Sequence, residues 1–100
     1  MTDMLTSQAK VPTDAAPRYA KQLLSHLGHR AQVEALEGEE DGGRLVFAYG
    51  TGTVRPAGDH ILLVAEAGDE ESLRHVEDVL ARHLERFGAR RELVVTWQED

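Results

Sequence analysis

The sequence predicts an α+β domain: a two-layer sandwich in which an antiparallel sheet of about five strands carries two helices on one face. Two segments with a helical apolar period bracket a run of short extended segments, and a further extended segment closes the chain. The connections between the extended segments are short, which favours antiparallel pairing. The resulting order is α-β-β-β-β-α-β. The chain's 100 residues suit one domain, here residues 13–100. Residues 1–12 read as a polar, patternless, flexible tail.

The elements follow from local chemistry. Thr13 or Asp14 can cap the first helix, and Pro17 is tolerated in its first turn because its missing N–H would have been an orphan. Ala20, Leu23, Leu24 and Leu27 recur at helical spacing and form one buried stripe. Gly28 is expected to stop this helix in a left-handed conformation. Residues 31–35 alternate as a strand does, and the run from Glu39 to Gly43 reads as a hairpin turn. Leu45, Phe47 and Tyr49 share one face of the next strand. Gly50-Thr51-Gly52 reads as a bulge or tight turn before a third strand at Thr53-Val54-Arg55.

Pro56-Ala57-Gly58-Asp59 is a turn with proline suited to its second position, and residues 60–67 form a fourth strand, apolar on both faces. Asp69 caps the second helix, where Glu70 and Glu71 suit the positive end of the dipole. Its stripe is Leu73, Val76, Leu80, Leu84 and Phe87, and Gly88 ends it. Residues 91–98 form the last strand, with Leu93, Val95 and Trp97 on one side. Val46, Leu62, Val64 and Val94 have the opposite parity, so the open sheet face carries apolar residues. That predicts a homodimer, or docking onto another domain, through this face.

Composition narrows the function. No cysteine is present, which removes disulfides, thiolate metal sites and cysteine nucleophiles and suits a reducing cytoplasm. Neither a secretory signal nor an apolar run of membrane-spanning length is visible. With no such run, no membrane is expected as a partner, and a net charge of −7 repels phosphate backbones, so nucleic acid is not expected either. The local group Arg82, Arg86, Arg90 and Arg91 reads as a solvated helix end.

The motifs are mostly ordinary. Gly50-Thr51-Gly52 lacks a third glycine and leads into a strand, so no helix N-terminus awaits a pyrophosphate. Ser7, Ser25 and Ser72 sit in no nucleophile elbow. The histidines stand out: five are present, two of them in His26-Leu27-Gly28-His29. His26 and His29 are spaced for a shared helix face, although Gly28 breaks the helix between them. His83 lies about 50° from the centre of the second helix's apolar stripe, so it is at least partly buried and is the best third ligand. His75 projects to solvent. A trio of His26, His29 and His83 could hold zinc or iron, but a buried histidine is more often a hydrogen-bonded core residue.

The run from Pro17 to His29, Gly50, the segment His83-Leu84-Glu85-Arg86-Phe87 and the ending from Glu92-Leu93 to Trp97 resemble a bacterial family grouped as domain of unknown function 2218. The resemblance extends from about residue 13 to 97. It implies no particular activity. Some relatives look like appendages of siderophore-interacting flavoproteins, which implies an accessory role in iron-siderophore handling and a flavoprotein partner. The family pattern falls on His26, His29, His83, Arg86, Glu92 and Trp97. These are read as one polar cluster, with Arg86 and Glu92 suited to pair.

The leading reading is a non-enzymatic binding or accessory module with this cluster as its ligand site and no resident cofactor. The alternatives are a metal-dependent enzyme using His26, His29 and His83, and a cluster that only stabilises the fold.

Overall fold

The structure is a computed structural model that describes residues 4–36, 39–87, 93 and 95–99; for Glu39, Glu40, Phe87 and Glu99 it describes the backbone alone. The elements in chain order are β1 (Leu5–Pro12), α1 (Ala16–Leu27), β2 (Gln32–Leu36), β3 (Glu39–Phe47), β4 (Gly50–Pro56), β5 (His60–Ala67), α2 (Glu70–Phe87) and β6 (Gln98–Glu99). All pairings are antiparallel in the sheet order β2-β3-β4-β5-β1-β6. The expected sandwich is present, with α1 over β3 and β4 and α2 over β4, β5 and β1 on one face.

The main departure is β1. Residues 5–12, expected as a tail, form a strand between β5 and β6, paired with β5 from Leu5↔Ala67 to Pro12↔His60. Its core side is Ser7, Ala9 and Val11, all buried. A serine, an alanine and one valine make a faint alternation, which explains why periodicity does not reveal it. The observed order is therefore β-α-β-β-β-β-α-β. The last strand is also shorter than expected. Its regular part is Gln98–Glu99 beside β1, while Leu93, Val95 and Trp97 pack on the core and Val94 lies outside the described residues.

The glycines do different work from that expected of them. Gly28 is right-handed (φ −61°), so α1 ends without a left-handed cap; Gly28 N–H bonds the Leu24 carbonyl, and the N–H groups of Arg30 and Ala31 both close on the Leu27 carbonyl. The hairpin glycines Gly42 and Gly43 lie inside β3, where the register slips between Ala35 and Leu36. Residues 37–38, between β2 and β3, lie outside the described ones. Gly50 and Gly52 lie in a regular β4 after a turn at Ala48-Tyr49.

Gly50 and Gly52 are a seat for α2. A Cβ on Gly50 would stand 2.5 Å from the Glu66 carbonyl oxygen and 2.9 Å from Val76 Cγ2. One on Gly52 would stand 2.9 Å from Leu80 Cδ1. Lacking side chains, these positions let the helix approach the sheet closely. The approach buries Leu73, Val76, Leu80 and Leu84 against Leu63, Ala65 and Ala67. Each such large side chain contributes roughly 1.5–3 kcal/mol when fully buried.

Asp69 caps α2 as expected, its Oδ1 accepting the Ser72 N–H at 2.7 Å. The backbone and hydroxyl hydrogen bonds from Ser72 hold the Asp69 carboxyl below its ordinary value. The stabilisation is thus full above the ordinary carboxylate range and fades as pH falls through the lowered value. Helix α1 is capped by neither Thr13 nor Asp14 in the usual way: Ala15 is its N-cap, and Thr13 Oγ1 accepts the Ala15 N–H.

On the open face Val46, Leu62 and Val64 are half-buried, among Lys10, Arg44, Arg55 and Glu66. Among the described residues no helix is long and apolar enough to cross a membrane.

The seat gives a direct test. Gly50→Ala should lower stability by about 1–3 kcal/mol, because the added methyl meets both the Glu66 carbonyl and Val76 of α2. Gly68→Ala, which meets nothing within 4 Å, should change it by less than about 0.5 kcal/mol. Equal chemical-denaturation midpoints for the two would contradict the seat.

Candidate functional site

Of the six residues expected in one cluster, His26, His83, His29 and Trp97 fall in three different settings. His26 and His83 do meet: α1 and α2 lie side by side, and the two rings stand 5.1 Å apart between centroids, tilted at 47°. His83 is half-buried, as its helical position predicts, and its Nδ1 lies 2.7 Å from the Val79 carbonyl oxygen. A carbonyl only accepts, so Nδ1 carries a proton, and the neutral ring has its lone pair on Nε2.

His29 goes elsewhere. It sits in the turn after α1 and is exposed. There it lines a groove of about 500 Å³ with Lys21, Leu24, Ser25, Gly28, Val33, Asp41 and Gly42. The groove exists because α1 stops at Leu27 and leaves part of the sheet's helix side uncovered. Val33, whose neighbour in register is the buried Leu45, remains 45% exposed. Gly43 lets Leu24 settle on β3: a Cβ there would stand 3.1 Å from its methyls.

Trp97 lies on the opposite flank of α2 from His83. It walls a second cleft of about 500 Å³ with Arg74, Glu77, Asp78, Ala81, Glu85 and Val95. There Glu85 Oε2 accepts the Val95 N–H at 3.1 Å and holds the C-terminal segment to the helix. Arg86 is exposed, and Glu92 lies outside the described residues, as do Arg90 and Arg91. Among the described residues the expected cluster is thus divided between a histidine pair, a groove and a cleft. Positions 83 and 81 differ by about 200° around a helix, so residues flanking them face different ways.

The metal trio is divided in the same way: His26 and His83 meet, and His29 lines the groove. Among the described residues no three histidine, aspartate or glutamate side chains are grouped to hold a metal ion. The physical reason is the end of α1. Beyond Leu27 the chain turns toward β2, and His29 leaves the face that His26 shares with His83.

Two arrangements were not anticipated. Ser7 on β1 donates its hydroxyl to Glu77 Oε2 at 2.5 Å, and Arg74 Nη1 meets Glu77 Oε1 at 2.9 Å. Ser7 is fully buried and Glu77 is 5% exposed. An acid beside the apolar stripe of α2 was the available signal, since a buried carboxylate requires a partner. The second is a stack of Tyr49 on His75, 3.9 Å apart and nearly parallel, with Phe47 also stacked on Tyr49 at 5.2 Å. Burial raises the Tyr49 phenol above its ordinary value, opposed by the charge of Arg30. His75 is exposed as expected, yet it clamps the β3–β4 turn to α2.

A family model described as an uncharacterized protein conserved in bacteria (DUF2218) matches residues 8–98. Among solved structures, the NMR structure of PA4090 from Pseudomonas aeruginosa is similar, with 34% sequence identity and a TM-score of 0.76. The match covers 94% of this chain and 95% of that one. No curated protein matches the chain.

The Ser7–Glu77 contact makes a two-part prediction. Ser7→Ala leaves a buried carboxylate short of a donor and should cost about 1–3 kcal/mol in urea denaturation. Adding Glu77→Met should recover most of the loss, because removing both partners of a buried polar pair is nearly neutral. A Ser7→Ala protein as stable as the parent would contradict the contact.

Proposed function

The chain belongs to DUF2218, a family of uncharacterized bacterial proteins, and we propose that it is a non-enzymatic binding module whose ligand site is the groove at the end of α1. The observation that carries this reading is the groove's composition. Leu24 and the exposed Val33 form an apolar wall, with Lys21, His29, Ser25 and Asp41 around it. A concave, partly apolar site of about 500 Å³ with a few polar groups matches the usual form of small-molecule sites. Lys21 supplies a positive charge and His29 a further donor, which suits a small organic molecule with an apolar body and an anionic end.

Ser25, His29 and Asp41 share the groove without a hydrogen bond joining any two of them. A nucleophile, base and orienting acid would be linked by such bonds. The arrangement therefore favours holding a ligand over acyl transfer. The resemblance to appendages of siderophore-interacting flavoproteins makes an iron chelate one ligand to try, delivered to or from a flavoprotein partner in the cytoplasm.

The test is an amide-shift titration with two probes, salicylate and a gallium-loaded trihydroxamate chelate. Saturable shifts should centre on Leu24, Gly28, His29, Val33 and Gly42. Lys21→Glu, a surface change that leaves the fold intact, should weaken binding of an anionic probe by about tenfold, equivalent to 1.4 kcal/mol. Shifts centred elsewhere, or no saturable shift with either probe, would overturn this assignment of the groove.

A further inference from the structure

We propose that His26 and His83 form a two-imidazole site for a divalent transition-metal ion such as Zn²⁺, with water filling the remaining positions. The proposal is independent of the groove. It starts from the tautomer of His83. Its Nδ1–H is given to the Val79 carbonyl 2.7 Å away, one turn back in the same helix. This fixes the ring's orientation and leaves Nε2 as a lone-pair donor. Metal-binding histidines are characteristically held this way, by a hydrogen bond from the other ring nitrogen to a carbonyl or carboxylate.

The separation of the rings is the second observation. An ion about 2.0–2.1 Å from a ring nitrogen lies roughly 3.2 Å from that ring's centroid. Two rings at a tetrahedral angle about the ion then have centroids roughly 5 Å apart. His26 and His83 stand at 5.1 Å, a centroid separation that matches a shared ion. Imidazole pairs suit zinc, copper and nickel.

Third, the two ligands differ in setting. His83 is half-buried between the helices, whereas His26, in the last turn of α1, is exposed. The exposed side gives solvent access to the remaining coordination positions. The chain's charge of −7 also favours accumulation of cations around it. The ligands sit on two helices far apart in sequence, so a bound ion would tie α1 to α2. It would bind the folded chain much better than the unfolded one.

The experiment titrates ZnCl₂ into the folded chain by calorimetry and follows the ring signals of all five histidines by NMR. One zinc per chain is expected, with the His26 and His83 rings shifting together and the melting temperature rising by several degrees at saturation. His26→Ala changes an exposed residue and should fold normally while losing about tenfold or more in affinity. His75→Ala should bind as the parent does. Undiminished binding by His26→Ala, shifts centred on His29, His60 or His75, or no saturable binding would each overturn the site.

Discussion

A carboxylate buried beneath a helix must be partnered, because an unpaired charge there costs several kcal/mol. In this domain the buried partner of Glu77 comes from β1, through Ser7. That contact joins α2 to a strand whose own apolar content is slight, and the placement of β1 decides much else. β1 stands between β5 and β6, so without it the final strand would have nothing to pair with and the cleft beside Trp97 would lose one wall's support. Arg74 completes the arrangement at the half-exposed edge, also reaching Glu70 one turn earlier.

Helix α2 is thus located from several directions. Ser7 holds one flank, Gly50 and Gly52 admit it close to β4, and the Tyr49–His75 stack pins the turn at its other flank. Once α2 is fixed in this way, His83 faces α1 and meets His26. The length of α1 sets the remaining feature. A helix of 12 residues stops short of the end of the sheet, and the uncovered margin around Val33 becomes the groove. Both candidate sites are therefore consequences of packing, arising where a helix ends or where two helices touch.

The legible part of the fold is the part that rests on strong apolar periodicity. The stripe Leu73, Val76, Leu80 and Leu84, the Asp69 cap and the apolar run of β5 announce themselves, and they appear where expected. β1 does not, because Ser7 and Ala9 carry little hydrophobic signal and its burial depends on a polar bond to a residue 70 positions away. The glycines mislead for a related reason. Gly-x-Gly and Gly-Gly read locally as turns, whereas Gly43 and Gly52 are required by side chains of distant helices and Gly50 by the Glu66 carbonyl together with Val76. Of the site, the half-burial of His83 was legible from its angle on α2. The union of His83 with Trp97 was not tenable, since the two occupy opposite flanks of that helix. The separation of His29 from His26 depended on the course of the chain after Leu27, which spacing alone does not give.

The account depends most on β1 as an integral strand. Its most direct test is to remove residues 1–12 and examine the remaining chain by NMR and thermal melting. The structure predicts loss of the cooperative melt and of amide dispersion, because the deletion exposes the edge of β5, frees β6 and strips Glu77 of its serine. A shortened chain that kept a sharp melt and the parent's spectrum for β3, β4 and α2 would contradict it and return residues 1–12 to the status of a tail.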